Sequence, residues 1–183
     1  MTYQFGNIAV EVVKGNIVAQ PDMECIVNAA NAQLAPGGGV AGAIHRAAGP
    51  GLYDECRPLA PIRPGDAVLT SGHDLPNRCV VHCLGPVYGQ DKPEAELLAS
   101  CYSKALDLSE RQAIESIAFP ALSTGAFGYP PAAAAEVALS RVTGIIPRLR
   151  SVKRIRFVLF DESSVEVYRE VLTRLAGELG ERG

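Results

Sequence analysis

Several features are missing from this chain, and each absence removes a class of function. No apolar run approaches the roughly 18–20 residues that a membrane-spanning helix needs, so no membrane partner is expected. The opening MTYQFGNIAVEVVKG has no basic stretch followed by a long apolar one. No secretory signal is therefore read there, and the expected compartment is cytoplasmic. The net charge is −3, which supplies no overall basic field for wrapping nucleic acid. There is no Cys-x-x-Cys, and the five cysteines are an odd number, so reduced thiols are expected. In CVVHC, Cys79 and Cys83 share one strand face while His82 points to the other. One strand cannot aim all three at an ion, so no metal is expected; no cofactor is expected either. Neither a Walker sequence nor Gly-x-Gly-x-x-Gly occurs. No repeat or low-complexity linker divides the chain, so residues 1–183 read as a single domain. Oligomeric state is not legible at this level.

What the chain does contain is an alternation of strand and helix patterns. Strands are expected at Asn7–Gly15, Glu24–Ala30, Arg78–Gly85, Ser116–Leu122 and Arg154–Phe160, with a shorter one in AVLTSG from Ala67. Several are continuous β-branched runs, as strands covered on both faces should be. Helices are expected between them. Val40, Ala43, Ile44, Ala47 and Ala48 form one helical stripe. Others run through KPEAELLASCYSKALDLSERQ, from Pro131 to about Ile146, and through the C-terminal SSVEVYREVLTRLAGELG. This predicts an α/β domain with helices on both faces of a mostly parallel sheet. In such sheets ligands bind beyond the carboxyl ends of the strands.

Two loops at strand ends suit an anion. The first, after CIVNAAN, carries Gly37, Gly38, Gly39 and Val40 into a helix that bears His45. Adjacent glycines are costly unless the backbone needs positive φ or close approach to a ligand. Their amides, with a helix N-terminus, can receive phosphate oxygens. The second loop, STGAFGYP, brings together Ser123, Thr124, Gly125, Ala126 and Phe127 before another helix. Two such loops in one small domain favour a diphosphate held between them.

Taken together, IVNAAN, GGGVAGAIHRAAG, HCLGP and FPALSTGAFGYP resemble the macrodomain family, in its MacroD-type branch that includes viral macrodomains. The resemblance runs from VVKGNI to FVLFDESSVEVY, nearly the whole chain. It implies a three-layer α/β/α sandwich around a mixed sheet of about six strands, with an antiparallel edge at the N-terminal strand. It implies binding of ADP-ribose or of ADP-ribosylated protein. It also implies hydrolysis of mono-ADP-ribosyl esters on protein carboxylates, or of O-acetyl-ADP-ribose or ADP-ribose 1″-phosphate. By position, the amides of Gly37–Val40 and Ser123–Phe127 would hold the diphosphate, and Asn31 would bond the distal ribose, with Asn28 bracing the loop. Phe127 would cover that ribose. Asn16 and Ile17 would lie at the adenine, with Phe160 packing on it and Asp161 alongside. For Phe160 the other reading is an ordinary core phenylalanine. Nothing resembles the paired glutamates of the glycohydrolase branch.

Two positions depart from the family pattern. Asn16 stands where the family usually has an aspartate that accepts from the adenine amino group. An amide still accepts but loses charge assistance, which implies a weaker adenine preference. Ala41 stands where cellular MacroD-type hydrolases usually carry an aspartate. That aspartate would lie one helical turn from His45 and orient it or activate water. His45 is then either an acid–base helper or a helix residue bonding local backbone. Viral relatives with alanine here include hydrolases, in which positioning of the ribose and the substrate's own diphosphate can supply rate. Two readings follow: a metal-independent hydrolase using Asn31 and His45, or a reader that binds ADP-ribose without chemistry.

Overall fold

The computed structural model describes residues 1–182. Its strands are β1 (Thr2–Phe5), β2 (Ile8–Lys14), β3 (Cys25–Ala29), β4 (Ala67–Ser71), β5 (Cys79–Cys83), β6 (Ser116–Phe119) and β7 (Arg154–Leu159). Its helices are α1 (Gly39–Ala48), α2 (Pro50–Cys56), α3 (Glu94–Arg111), α4 (Pro131–Ile145) and α5 (Glu162–Arg182). One sheet of seven strands has the order β1-β2-β7-β6-β3-β5-β4. Strands β2 through β5 in that order are parallel neighbours. Both edges are antiparallel, β1 on β2 and β4 on β5.

The sheet has seven strands where about six were expected. The extra one is β1, only four residues long and half polar. It folds back through Gly6, whose φ of 62° suits glycine in a tight turn. The antiparallel edge also lies one strand further out than expected. Strand β2, within the predicted Asn7–Gly15, is parallel to β7, and β1 takes the edge.

Alternate residues of each strand feed two cores. Val27, Val81, Phe119 and Phe157 face α3, α4 and α5. Ile26, Val80, Ala118 and Val158 face α1 and α2. This is a three-layer α/β/α sandwich. On the first face the Phe119 and Phe157 rings stack at 5.6 Å and Tyr102 of α3 packs 5.1 Å from Phe119. Each such fully buried side chain contributes about 1.5–3 kcal/mol relative to exposure. The second face shows why the stripe on α1 was misread. Its buried positions are Ala41, Gly42, Ile44, His45 and Ala48, whereas Ala47 is exposed. A histidine counted as polar hid the true face.

The topology aligns the carboxyl ends of β2, β7, β6 and β3 in a row. Three inter-strand gaps of about 4.8 Å make that row roughly 14 Å long.

Candidate active site at the carboxyl ends of the strands

At one end of the row, β3 runs into the first glycine loop. The Asn31 carboxamide closes this loop on itself, with Nδ2 donating to the Ala35 carbonyl (2.8 Å) and Oδ1 accepting from the Ala35 N–H (3.0 Å). Gly37, Gly38 and Gly39 are exposed and Val40 is half-buried. Gly38 caps α1 with no side-chain bond to the helix, and Gly39 has φ 55°. The first-turn amides therefore face outward without a protein side chain on them, which suits an anion. The loop also lies tightly against its own helix: a Cβ on Gly42 would stand 2.2 Å from the Gly37 carbonyl oxygen.

The neighbouring strand β6 leads into the second loop. Ser123 has φ 66°, a strained value for a residue with a Cβ. Its buried Oγ has no partner among the described residues. That Oγ lies 2.1 Å from where a Cβ on Gly85 would be, so only glycine after β5 lets the loop take this path. Backbone bonds then hold its shape: Tyr129 N–H to Ser123 carbonyl (2.8 Å), Gly128 N–H to Gly125 carbonyl (3.0 Å) and Tyr88 N–H to Phe127 carbonyl (2.8 Å). Gly125 and Ala126 are exposed, and Thr124 and Phe127 are half-buried. Neither loop contains a lysine or arginine. Any anion between them meets amide dipoles rather than side-chain charge.

At the far end of the row stand Asn16 and Ile17 after β2, and Phe160 and Asp161 after β7. Phe160 is 88% exposed, which removes the core reading for it. Ile17 is buried. The Asp161 carboxylate accepts from Ser164 N–H (2.8 Å) and Ser163 Oγ–H (3.0 Å), which holds its pKa below the usual carboxylate value. It caps the start of α5.

Beneath the first loop lies a buried polar floor. The resemblance implies Asn28 as the brace of the loop, but its side chain bonds elsewhere and Asn31 is the residue that braces it. The Asn28 Nδ2 instead lies 3.1 Å from His82 Nδ1, and its Oδ1 is buried without a partner among the described residues. His82 Nε2 lies 2.9 Å from Thr70 Oγ1, and Thr70 Oγ1–H donates to the Ser71 carbonyl (3.1 Å). These donors point one way along the chain if His82 is neutral with its proton on Nε2. Burial, helped by the nearby His45, pushes the His82 pKa down to about 3, which agrees with a neutral ring. His45 lies 6.5 Å from the His82 ring and 6.2 Å from Tyr53, ring centre to ring centre. Both its nitrogens are buried without a partner among the described residues, so it does not bond local backbone. Burial lowers its pKa too. Ala41 is buried on the same helix face, one turn earlier, and offers His45 no carboxylate.

Gly42, Gly85, Thr70 and His82 were not read as contributors to the site. A glycine inside a helical stripe is the one local signal that could have marked Gly42. His82 and Gly85 lie in the HCLGP motif, but what they do, like the part played by Thr70, depends on contacts between distant segments. Cys79 and Cys83 face the α3 side of the sheet and His82 the α2 side, where its ring lies 3.8 Å from Cys56 Sγ. A separate open groove of about 830 Å³ lies between the β1–β2 hairpin and α5. Among the described residues, Tyr3 is the one titratable side chain that lines it.

The family model described as Macro domain matches residues 27–138. A Klebsiella pneumoniae protein named O-acetyl-ADP-ribose deacetylase is 46% identical over 167 residues, covering 88% of this chain and 95% of that one. Among solved structures, an Oceanobacillus iheyensis macrodomain with ADP is 37% identical, with a TM-score of 0.93 and 97% of each chain covered. A Trypanosoma brucei macrodomain in complex with ADP-ribose is 35% identical, with a TM-score of 0.81, covering 88% of this chain and 68% of that one.

Proposed function

The chain belongs to the Macro domain family, and on that premise we propose that it binds ADP-ribose and hydrolyses the acetyl ester of O-acetyl-ADP-ribose. We extend the substrates to mono-ADP-ribosyl esters on protein carboxylates and place the activity in the cytoplasm. The whole chain acts as one macrodomain. The observation that carries this reading is the row of strand ends. An exposed aromatic and an amide at β2 and β7, a strained amide-rich loop after β6, and a glycine loop after β3 follow one another across neighbouring strands. That order matches base, diphosphate and distal ribose.

In this mechanism the amides of Gly37–Val40 and Ser123–Phe127 hold the diphosphate through hydrogen bonds, helped by the N-terminus of α1. Ile17 borders the base beside Asn16, Phe160 and Asp161. Asn31 keeps one N–H and one lone pair beyond its two loop bonds, enough to reach a ribose hydroxyl. Phe127 covers that ribose. Water attacks the acyl carbon, the ester C–O bond breaks, and the ribose hydroxyl and carboxylic acid are released. With His45 buried and Ala41 unable to activate water, rate comes from placing the ester and the water beside the diphosphate.

The naming of relatives as deacetylases supports the enzyme reading. Ala41 and the buried His45 favour the second reading, a non-catalytic reader of ADP-ribose. Incubation with a protein carrying labelled ADP-ribose on a carboxylate separates them. Label release above that of Asn31→Ala is expected; micromolar ADP-ribose binding without release would leave the reader.

A further inference from the structure

Asn16 and Phe160 stand side by side because their strands do. Lys14 of β2 pairs with Leu159 of β7, and the Gly15 N–H donates to the Leu159 carbonyl (2.9 Å). The open Phe160 ring offers a face on which a nucleobase can stack. The exposed Asn16 carboxamide beside it offers an edge. That carboxamide is oriented, because the Val18 N–H donates to its Oδ1 (3.1 Å) and a backbone N–H can bond only the oxygen. Oδ1 keeps a second lone pair. Nδ2 carries two N–H donors and has no partner among the described residues.

The loop is also held from below. Gln20 Nε2 donates to the Asn16 carbonyl (3.0 Å), and Gln20 Oε1 accepts from Arg156 (2.8 Å). Arg156 is fixed by Glu11 (2.6 Å) and Asp22 (2.7 Å). Asp161, the residue after Phe160, is committed to capping α5. Asn16 therefore presents an acceptor and unused donors together, from a fixed position.

We propose that Asn16 makes the base subsite tolerant of the group at purine C6, so that the cleft takes 6-oxopurine nucleoside diphosphate riboses as well as ADP-ribose. A 6-amino group donates to the free lone pair of Oδ1. A 6-oxo group accepts from Nδ2. A carboxylate at this position would offer acceptors alone, suiting the amino group and repelling the oxo oxygen. This inference rests on the ADP-ribose reading of the cleft.

Calorimetric titration of the full chain with ADP-ribose and with inosine diphosphate ribose tests it, since the two differ only at C6 and the N1 proton. The expected affinities lie within about fivefold of each other, and Asn16→Asp widens the gap in favour of ADP-ribose by at least about tenfold. Asn16→Asp keeps an oxygen for the Val18 N–H, so the loop is retained. A larger gap in the natural protein, or a smaller widening in Asn16→Asp, overturns the inference while leaving ADP-ribose binding in place. Binding of neither ligand overturns the reading of the cleft itself.

Discussion

His45 is buried, its pKa is lowered by that burial, it has no hydrogen-bond partner among the described residues, and Ala41 brings it no carboxylate. A base in that position is poorly placed to take a proton from water in the cleft. Asn31, which shapes the loop and keeps a free donor and acceptor, is the stronger determinant of rate. Replacing Asn31 with alanine is expected to lower kcat/KM on O-acetyl-ADP-ribose by about a hundredfold, by misplacing the ribose. His45→Ala is expected to lower it by less than about tenfold. Steady-state kinetics of the two variants decide the order, and a larger loss in His45→Ala would return the proton transfer to histidine. At this scale the sequence was only partly legible. Its motifs picked out Asn28 and Asn31, but which one braces the loop depends on His82, which lies on another strand. The same limit hid the pairing of Ser123 with Gly85.

At the scale of elements, the site is built by strand ends running into helix starts. The glycine run PGGGV announced one such junction, because three adjacent glycines have few structural uses besides tight backbone geometry. Gly42 was less visible, since its need arises only when α1 folds back on the Gly37 carbonyl. Gly42→Ala would force that oxygen and the new Cβ apart. The expected outcome is a stability loss of about 1–3 kcal/mol in urea unfolding together with a weaker ADP-ribose affinity, because loop and helix move as one. Unchanged affinity in a destabilised Gly42→Ala would show that the loop amides do not hold the ligand. The buried face of α1 was misread for a related reason. Periodicity counts apolar residues, and here a histidine occupies a core position.

Across the whole molecule, alternation of strands and helices sufficed for the layers and for the parallel centre of the sheet. It missed β1, because a four-residue, half-polar edge strand carries almost no periodic signal. The two buried histidines give the molecule a pH signature. Both have pKa values lowered below the ordinary 6.5, His82 to about 3. In that window the unfolded chain binds protons that the folded chain refuses. The contribution of His82 to stability is therefore complete above about pH 6.5 and is lost as the pH falls toward 3, and that of His45 is likewise lost below pH 6.5. For His82 the loss is up to about 1.4 kcal/mol per pH unit. Urea unfolding at pH 6.5 and 5.0 should show lower stability at 5.0, and equal stability would argue that neither ring is held neutral.

The central claim is that a macrodomain with alanine at position 41 still performs ester hydrolysis. Acetate release from O-acetyl-ADP-ribose by the purified full chain, without added metal, measures it directly. The account predicts multiple turnovers that Asn31→Ala largely abolishes. Tight binding of the substrate with no acetate released above the spontaneous rate would contradict it.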